Sequence, residues 1–387
     1  MITLPTLSEL KTALVNSIES QFNITLPSVG GNFLRGMSDV MAGKLWLLYK
    51  TVAFTQKNIF VDTADSEAIG GTLERFGRVK LGRNPFGAVS GQYKIAVTGS
   101  IGAVIPASTT FKSDDDSANP GYLFVLDSAY TFTGTTGSIT LRALTAGLDS
   151  ELENGNTLTA TVPIALVDEQ VTVSAIVVEP QSAEDLEDYR QKAIEAYRLE
   201  AQGGAGADYR LWSFDAQGVK TSYPYAKSGN NNEVNLYVEA TIADSTDGQG
   251  TPSATILSDV EDAIELPTTT RPSRKPLGVY EVNYLPVNIR YVSVIIDSYA
   301  NYDVATGNII YAAIKDYLSE IRPFVSSIDI LANQNDTISS NAIISVILQA
   351  VPGASFGTVT MEVDNVPSAD FQFFNGDIPA IGIVSYT

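Results

Sequence analysis

The hydrophobic period of this 387-residue chain changes twice, and those two changes limit what it can fold into. Up to about Gly82, apolar residues recur every three to four positions, the spacing of helices with one apolar face. From Pro85 to Gln181 they alternate with polar ones while Gly99, Gly102 and Pro106 punctuate, which is the pattern of short antiparallel strands. From Ser182 onward, strand and helix patterns take turns. The chain therefore reads as an α+β multidomain protein: an N-terminal helical region over 1–84, a small antiparallel β domain over 85–181, and two mixed α/β units over 182–285 and 286–387. The β domain is expected to be a sandwich or half-barrel.

The second change falls in SAEDLEDYRQKAIEAYRLEAQGGAGADYRLW, Ser182 to Trp212. Ser182 and Asp185 have the spacing of a capping box, which satisfies amides that the first helical turn leaves unpaired, so a helix is predicted to start there. Leu186, Tyr189, Ala193 and Ala196 form its apolar face, and acidic residues precede Arg190, Lys192 and Arg198, complementing the helix dipole. Gly203, Gly204, Ala205 and Gly206 stop it. Asp208 is placed to cap a second, shorter helix.

The helical region holds one helix from Thr6 to Phe22, with Leu7, Leu10, Leu14 and Ile18 on a stripe, followed by Pro27 and the pair Gly30, Gly31. A longer one follows from Asn32 to Phe60, about 45 Å at 1.5 Å per residue. Leu34, Met37, Met41, Leu45, Leu48 and Val52 make one apolar stripe along it, continued by Ile59. Phe33, Val40, Leu47 and Phe54, spaced seven apart, make another, roughly 100 to 160° round the cylinder. About half the helix surface is thus apolar. Two readings follow: a core helix buried within its own domain, or a helix with one stripe on its own domain and the other on a separate chain. Trp46 projects from the polar side, with Arg35, Asp39, Lys50 and Lys57.

Composition narrows the chemistry. The chain has no cysteine and no histidine, which excludes thiolate and Ser-His-Asp catalysis, Cys-containing zinc sites and the usual His-ligated metals. What remains is carboxylate, lysine, tyrosine or hydroxyl chemistry. No phosphate loop, dinucleotide fingerprint or nucleophile elbow is present, and no pair among 44 acidic residues is singled out as an acid and base. Asp114, Asp115 and Asp116 lack the glycine and glutamate of a calcium loop and read as a solvated turn, as do Asp149, Glu151 and Glu153 and the group Asp62, Asp65 and Glu67. No catalytic residue, metal ligand or cofactor is assigned. A net charge of -20 argues against nucleic acid as a partner, and the apolar runs are too short for membrane insertion. A protein made in a cytoplasm is expected.

Further along, Gly218–Ala226 and Glu233–Ile242 read as a hairpin around Gly229, Asn230 and Asn231. Thr251 and Pro252 open a helix that Pro267 ends, and Arg271, Arg274 and Lys275 form the one dense basic patch: a solvated loop, or a salt-bridging surface against another copy. Strands are expected over Val279–Leu285 and Val287–Ile296, helices over Asn308–Ile321 and Ser340–Val351, and closing strands over Val359–Val363 and Ile381–Ser385. This tail is a split α/β unit with helices on one sheet face.

Eight segments carry a family resemblance: LERFGRVKLGR (Leu73–Arg83), TGSIGAVIPASTTF (Thr98–Phe111), GYLF (Gly121–Phe124), GSITLRALTAG (Gly137–Gly147), AEDLEDYRQK (Ala183–Lys192), GGAGADYRLW (Gly203–Trp212), RPSRKPLG (Arg271–Gly278) and VPGASFGTV (Val351–Val359). In order and spacing, from about residue 70 to the end, they resemble the successive signatures of the baseplate J-like protein family of contractile-tailed bacteriophages. The chain departs from that pattern after Pro163, where IALVDEQV lacks the usual Gly-Val, and at Tyr223, Pro224, Tyr225, which replace a plainer strand. The resemblance implies a structural wedge protein of the inner baseplate in a virion tail, present in more than one copy. Its N-terminal helices would join other wedge proteins and its C-terminal region would help close a ring. Related wedge proteins of tailocins and injection systems fit equally. Against this stand a tail-borne cell-wall hydrolase, which only the acidic loops suggest, and a receptor-binding module, which only the strand-rich middle suggests.

Overall fold

A computed structural model describes residues 4–27, 33–66, 71–199, 202–230, 232–269, 271–300 and 303–387. Gly30, Gly31, Asn32, Glu67 and Asn231 lie outside these. The chain divides into two compact units, one of Met1–Asn84 with Tyr189–Glu195, the other of Pro85–Asp188 with Ala196–Thr387.

In the first unit, helices α1 (Leu7–Phe22), α2 (Phe33–Lys57) and α3 (Thr72–Lys80) follow in order. Thr6 starts α1 with a capping box: its hydroxyl accepts from the Glu9 amide, and the Glu9 carboxylate accepts from the Thr6 amide. α1 lies along α2, with Lys11 paired to Asp39 at 3.3 Å. A small apolar cluster of Ala64, Leu73 and Tyr189 sits under α3. Gly77 is needed there, because a Cβ at that position would come within 2.1 Å of the Tyr189 hydroxyl, which donates to the Arg83 carbonyl. Arg190 donates to the carbonyls of Val61 and Ala64.

The second unit opens with eight strands: β1 (Gln92–Thr98), β2 (Val104–Ile105), β3 (Thr110–Ser113), β4 (Leu123–Leu126), β5 (Tyr130–Thr131), β6 (Thr136–Ala143), β7 (Thr157–Ala160) and β8 (Gln170–Val178). Six of them close into a barrel in the order β1-β6-β4-β3-β7-β8, every pair antiparallel, while β2 and β5 form a separate ribbon. Closure corrects the expected sandwich or half-barrel. The open alternative would leave edges unpaired, and β1 pairing with β8 removes both. Alternation fills the inside: Tyr93, Ile95 and Val97 of β1 and Ile139, Leu141 and Ala143 of β6 are buried with Phe111, Phe124 and Phe132. Tyr93 keeps its hydroxyl satisfied by accepting from the Leu152 amide, and burial together with the Glu151 charge pushes it up to about 12. Asp114 does more than line a turn. It accepts from Thr159 Oγ1 at 2.7 Å and Gln170 Nε2 at 3.0 Å, fastening β7 and β8 beside the start of β3's loop.

Next come α4 (Leu186–Arg198), α5 (Gly206–Ser213), β9 (Val219–Ala226), β10 (Glu233–Ala240), α6 (Ala254–Glu265) and β11 (Glu281–Pro286). The cap of α4 is Asp185, whose carboxylate accepts from the amides of Glu187 and Asp188, and not Ser182, whose amide donates to Asp244. Asp208 likewise lies inside the first turn of α5. Its buried carboxylate reaches back to the amides of Gln202, Gly204 and Ala205, a hairpin of backbone that Gly203 and Gly204 allow by taking positive φ. β10 lies between antiparallel β9 and parallel β11, and its Leu236, Val238 and Ala240 meet Ile256, Val260 and Ile264 of α6.

The last elements are β12 (Asn288–Ile296), α7 (Val304–Ser319), β13 (Thr337–Ser339), α8 (Ser340–Ala350), β14 (Val359–Val363), β15 (Val366–Pro367), β16 (Asp370–Gln372) and β17 (Asp377–Tyr386). The sheet order is β15-β14-β12-β17, with β12 and β17 parallel, and α7 and α8 bury Ile310, Ile314, Leu318, Ile343 and Ile347 against Val292, Val294 and Ile296. α7 begins four residues before the expected Asn308, because Asp303 caps it through the Thr306 amide. Between the two sheets, buried Glu239 accepts from Lys220 Nζ at 2.9 Å, the Tyr223 hydroxyl at 2.6 Å and Arg322 at 3.0 Å. Arg210 pairs with Asp329 at 2.9 Å beside it.

Candidate assembly surface

The packing of α1 on α2 decides which side of α2 is free. The only buried residues of α2 are small ones, Ser38 and Ala42, with Leu34 and Leu45 half-buried beside them. Ser38 turns its hydroxyl back onto the Leu34 carbonyl, so this face presents no unmet polar group to α1. The expectation that one of the two apolar stripes packs within the helix's own domain is corrected accordingly. α1 takes the small-residue side and touches only the edge of the first stripe.

Eight of the ten residues singled out on α2 are exposed: Phe33, Met37, Val40, Met41, Leu47, Leu48, Val52 and Phe54. Phe33 is 78% exposed and Leu48 59%. At 100° per residue the two stripes merge into a single arc about 160° wide on the side away from Ser38 and Ala42. Thr51 and Thr55 fall within this arc, but their hydroxyls are bonded to the carbonyls of Leu47 and Thr51, one turn back. They expose mainly methyl groups. Lys44 is the one charge in the arc. Trp46 is not part of it; its ring carries the Lys50 ammonium at 3.9 Å on the polar flank.

Beyond the helix, the arc runs into a feature that periodicity does not reveal. Leu4, Ala53, Phe54, Lys57, Phe60 and Thr63 line a mostly apolar cavity of about 370 Å³. Phe60 follows the end of α2, where the helical period no longer predicts direction, so only its exposure in the folded chain marks it.

The other sequence candidates are accounted for internally. Arg274 pairs with Asp215 at 2.7 Å, Lys275 with Glu265 at 3.1 Å, and Arg271 donates to the Ala263 carbonyl at the end of α6. This basic patch therefore holds the C-terminal end of a helix. Glu239 is charged in spite of its surroundings: burial would push it up, but Arg322, Lys220 and the Tyr223 hydroxyl outweigh this and hold it below the usual carboxylate range. Tyr223 is pushed well up by burial and by the Glu239 charge. Both groups are closed in by their partners and serve to tie β9 and β10 to the segment that follows α7. Among the described residues no group of three acidic residues is placed to hold a metal ion, and no helix is long and apolar enough to cross a membrane.

Comparison with known proteins adds one firm match and one distant one. No curated protein matches the chain. Among solved structures it is similar to a chain in a cryo-EM structure of the anti-feeding prophage baseplate, six-fold symmetrised, at 12% identity and a TM-score of 0.42, over 98% of this chain and 100% of that one. That likeness is too distant to carry a functional inference. The family model of the Baseplate J-like protein barrel domain matches residues 94–179. Those residues run from Lys94, the third residue of β1, to just past the end of β8, nearly the whole of the closed six-stranded barrel. The barrel at the middle of this chain is thus similar to the Baseplate J-like protein barrel domain.

Proposed function

We propose that this chain is a structural component of a phage-tail-like baseplate, a wedge protein that the exposed arc of α2 joins to other baseplate proteins. The observation that carries the reading is the bare apolar arc opposite α1. Eight large apolar side chains left in water on one helix are a cost to the isolated molecule that a partner helix removes, at about 25 cal/mol per Å² of apolar area covered. The Baseplate J-like barrel supports the setting. The partner surface that fits is an apolar helix face with one carboxylate opposite Lys44. Copies of the same chain and other wedge proteins are the occupants this reading assigns to the assembly, in the tail of a virion or of a related contractile particle, after synthesis in the host cytoplasm. The reading assigns no catalysis to the chain, and neither nucleic acid nor a membrane is among its partners.

The test is assembly itself. Replacing Met41, Leu48 and Phe54 with Glu in the genome that encodes this chain should leave particles without a complete baseplate, seen by electron microscopy, while purified variant protein keeps the circular dichroism of the parent. Particles that assemble normally with the triple change would refute the α2 interface.

A further inference from the structure

We propose that the loop end of the barrel, built from residues 98–110 and 157–167, is a contact surface for a second copy of this chain. The two segments run side by side. The Ser100 amide donates to the Leu166 carbonyl at 2.8 Å near one end, and at the other the Thr161 amide donates to the Thr110 carbonyl at 3.0 Å, with the two threonine hydroxyls 2.5 Å apart. Between them lies an open groove of about 530 Å³, with Val104 and Pro106 on one wall and Val162 and Ile164 on the other.

Two properties together mark this end of the barrel. First, the 24 residues of the two segments include no Asp, Glu, Lys or Arg, although 18% of the chain is charged and about four would be expected. Second, large apolar side chains stand out from it: Ile101 is 71% exposed, Val162 67% and Leu166 70%. Leu166 does so from a left-handed backbone, φ 65°, which a leucine adopts only against a steric cost. Folding alone gains nothing from holding an apolar side chain in water on a strained residue.

The charge pattern names the occupant. From residue 85 onward the chain holds 15 Lys and Arg against 37 Asp and Glu. A basic partner would be drawn to that acidic surface and would find nothing at the barrel end to pair with. Another acidic body is repelled everywhere except where charge has been cleared away, and a second copy is such a body. A two-fold contact, each groove taking the other's Val162 and Leu166, uses one patch twice. Salt then acts in an unusual direction: it screens the repulsion between acidic flanks and leaves the apolar contact intact, so association should strengthen as ionic strength rises.

The full-length chain tests this directly, because it has no cysteine of its own. Single variants Ala107→Cys and Ala165→Cys, mixed and oxidised, should give a disulfide-linked dimer whose cross-linked peptides map to the two loops. Sedimentation equilibrium should show self-association strengthening at least threefold from about 50 mM to about 500 mM NaCl, and weakening at least tenfold in Leu166→Asn. Asparagine keeps the left-handed backbone, so that variant removes the apolar contact without the fold. A chain that stays monomeric at all concentrations, or one whose association ignores Leu166→Asn, would overturn the proposal. Association abolished by Met41→Glu and Leu48→Glu but indifferent to the barrel variant would overturn it too, while leaving the α2 reading standing.

Discussion

The barrel and the long helix treat the same raw material in opposite ways. In β1, Tyr93, Ile95 and Val97 alternate with Lys94, Ala96 and Thr98, and closure of the six strands gives each inward side chain a cover from within the chain. In α2, the apolar set is as regular, but the neighbour that α1 provides sits on Ser38 and Ala42, and the large side chains have no cover of their own. A hydrophobic period thus tells which side of an element is apolar. It does not tell whether the partner for that side belongs to the same polypeptide.

The largest expected effect lies where the second unit would come apart. Glu239→Ala removes the acceptor for Lys220, Tyr223 and Arg322 at once and leaves two cations facing each other in a buried site, a loss of about 3–5 kcal/mol. Hydrogen exchange should show β9, β10 and the segment after α7 opening together, with α1 and α2 unchanged. The same carboxylate makes a pH prediction. Its folded value lies below the ordinary 4.5, so its contribution is full above about pH 4.5 and is lost as the pH falls through the lowered folded value. Stability of the parent should drop on acidification in that window, and the Glu239→Ala chain should show a shallower slope. If opening in that variant spread equally to α1 and α2, the two units would not be independent and the contrast between them would fail.

Next in size is the barrel core. Leu141→Ala empties space among Tyr93, Ile95 and Phe124 in a closed wall that cannot collapse, at about 2–5 kcal/mol. Faster exchange confined to β1, β4 and β6 would confirm that the barrel's apolar residues stabilise the chain by themselves. A loss below about 1 kcal/mol would mean that the barrel is as undercommitted as α2.

How much of this was legible in the sequence follows from the range of the interactions involved. Four of the six barrel strands (β1, β4, β6 and β7), the hairpin of β9 and β10 and the helices of the C-terminal unit follow from local period and from Gly and Pro, whereas the pattern does not single out β3 and β8. Closure could not be read, since it depends on β1 meeting β8 some eighty residues away. Two helix starts differ from the local reading, one because a distant partner intervenes and one because a local cap lies upstream of the helical pattern. Ser182 has the right spacing to Asp185 but spends its amide on Asp244, and α7 starts early because Asp303 outcompetes the later helical pattern. The arc of α2 was visible as two stripes, but which of them α1 would cover depends on small residues, whose low hydrophobicity hides their fit between helices. The charge-free barrel end was present as plain composition in two separated segments, and only folding sets them side by side.

The smallest expected effect is the most telling for the comparison. Met41→Gln and Leu48→Gln exchange exposed apolar side chains for a residue of nearly equal helix propensity, so neither loses burial nor strains the backbone. Each should change the stability of the isolated chain by no more than about 0.5 kcal/mol, measured by denaturation followed through helix signal. Were Leu48 a core residue in the sense that Leu141 is, the same change would cost several times more. A near-zero effect on the free chain, set beside a large one on assembly, is the signature of a surface whose stabilising neighbour is another molecule. A loss above about 2 kcal/mol would instead place the cover for α2 inside this polypeptide, and the opposition between barrel and helix would dissolve.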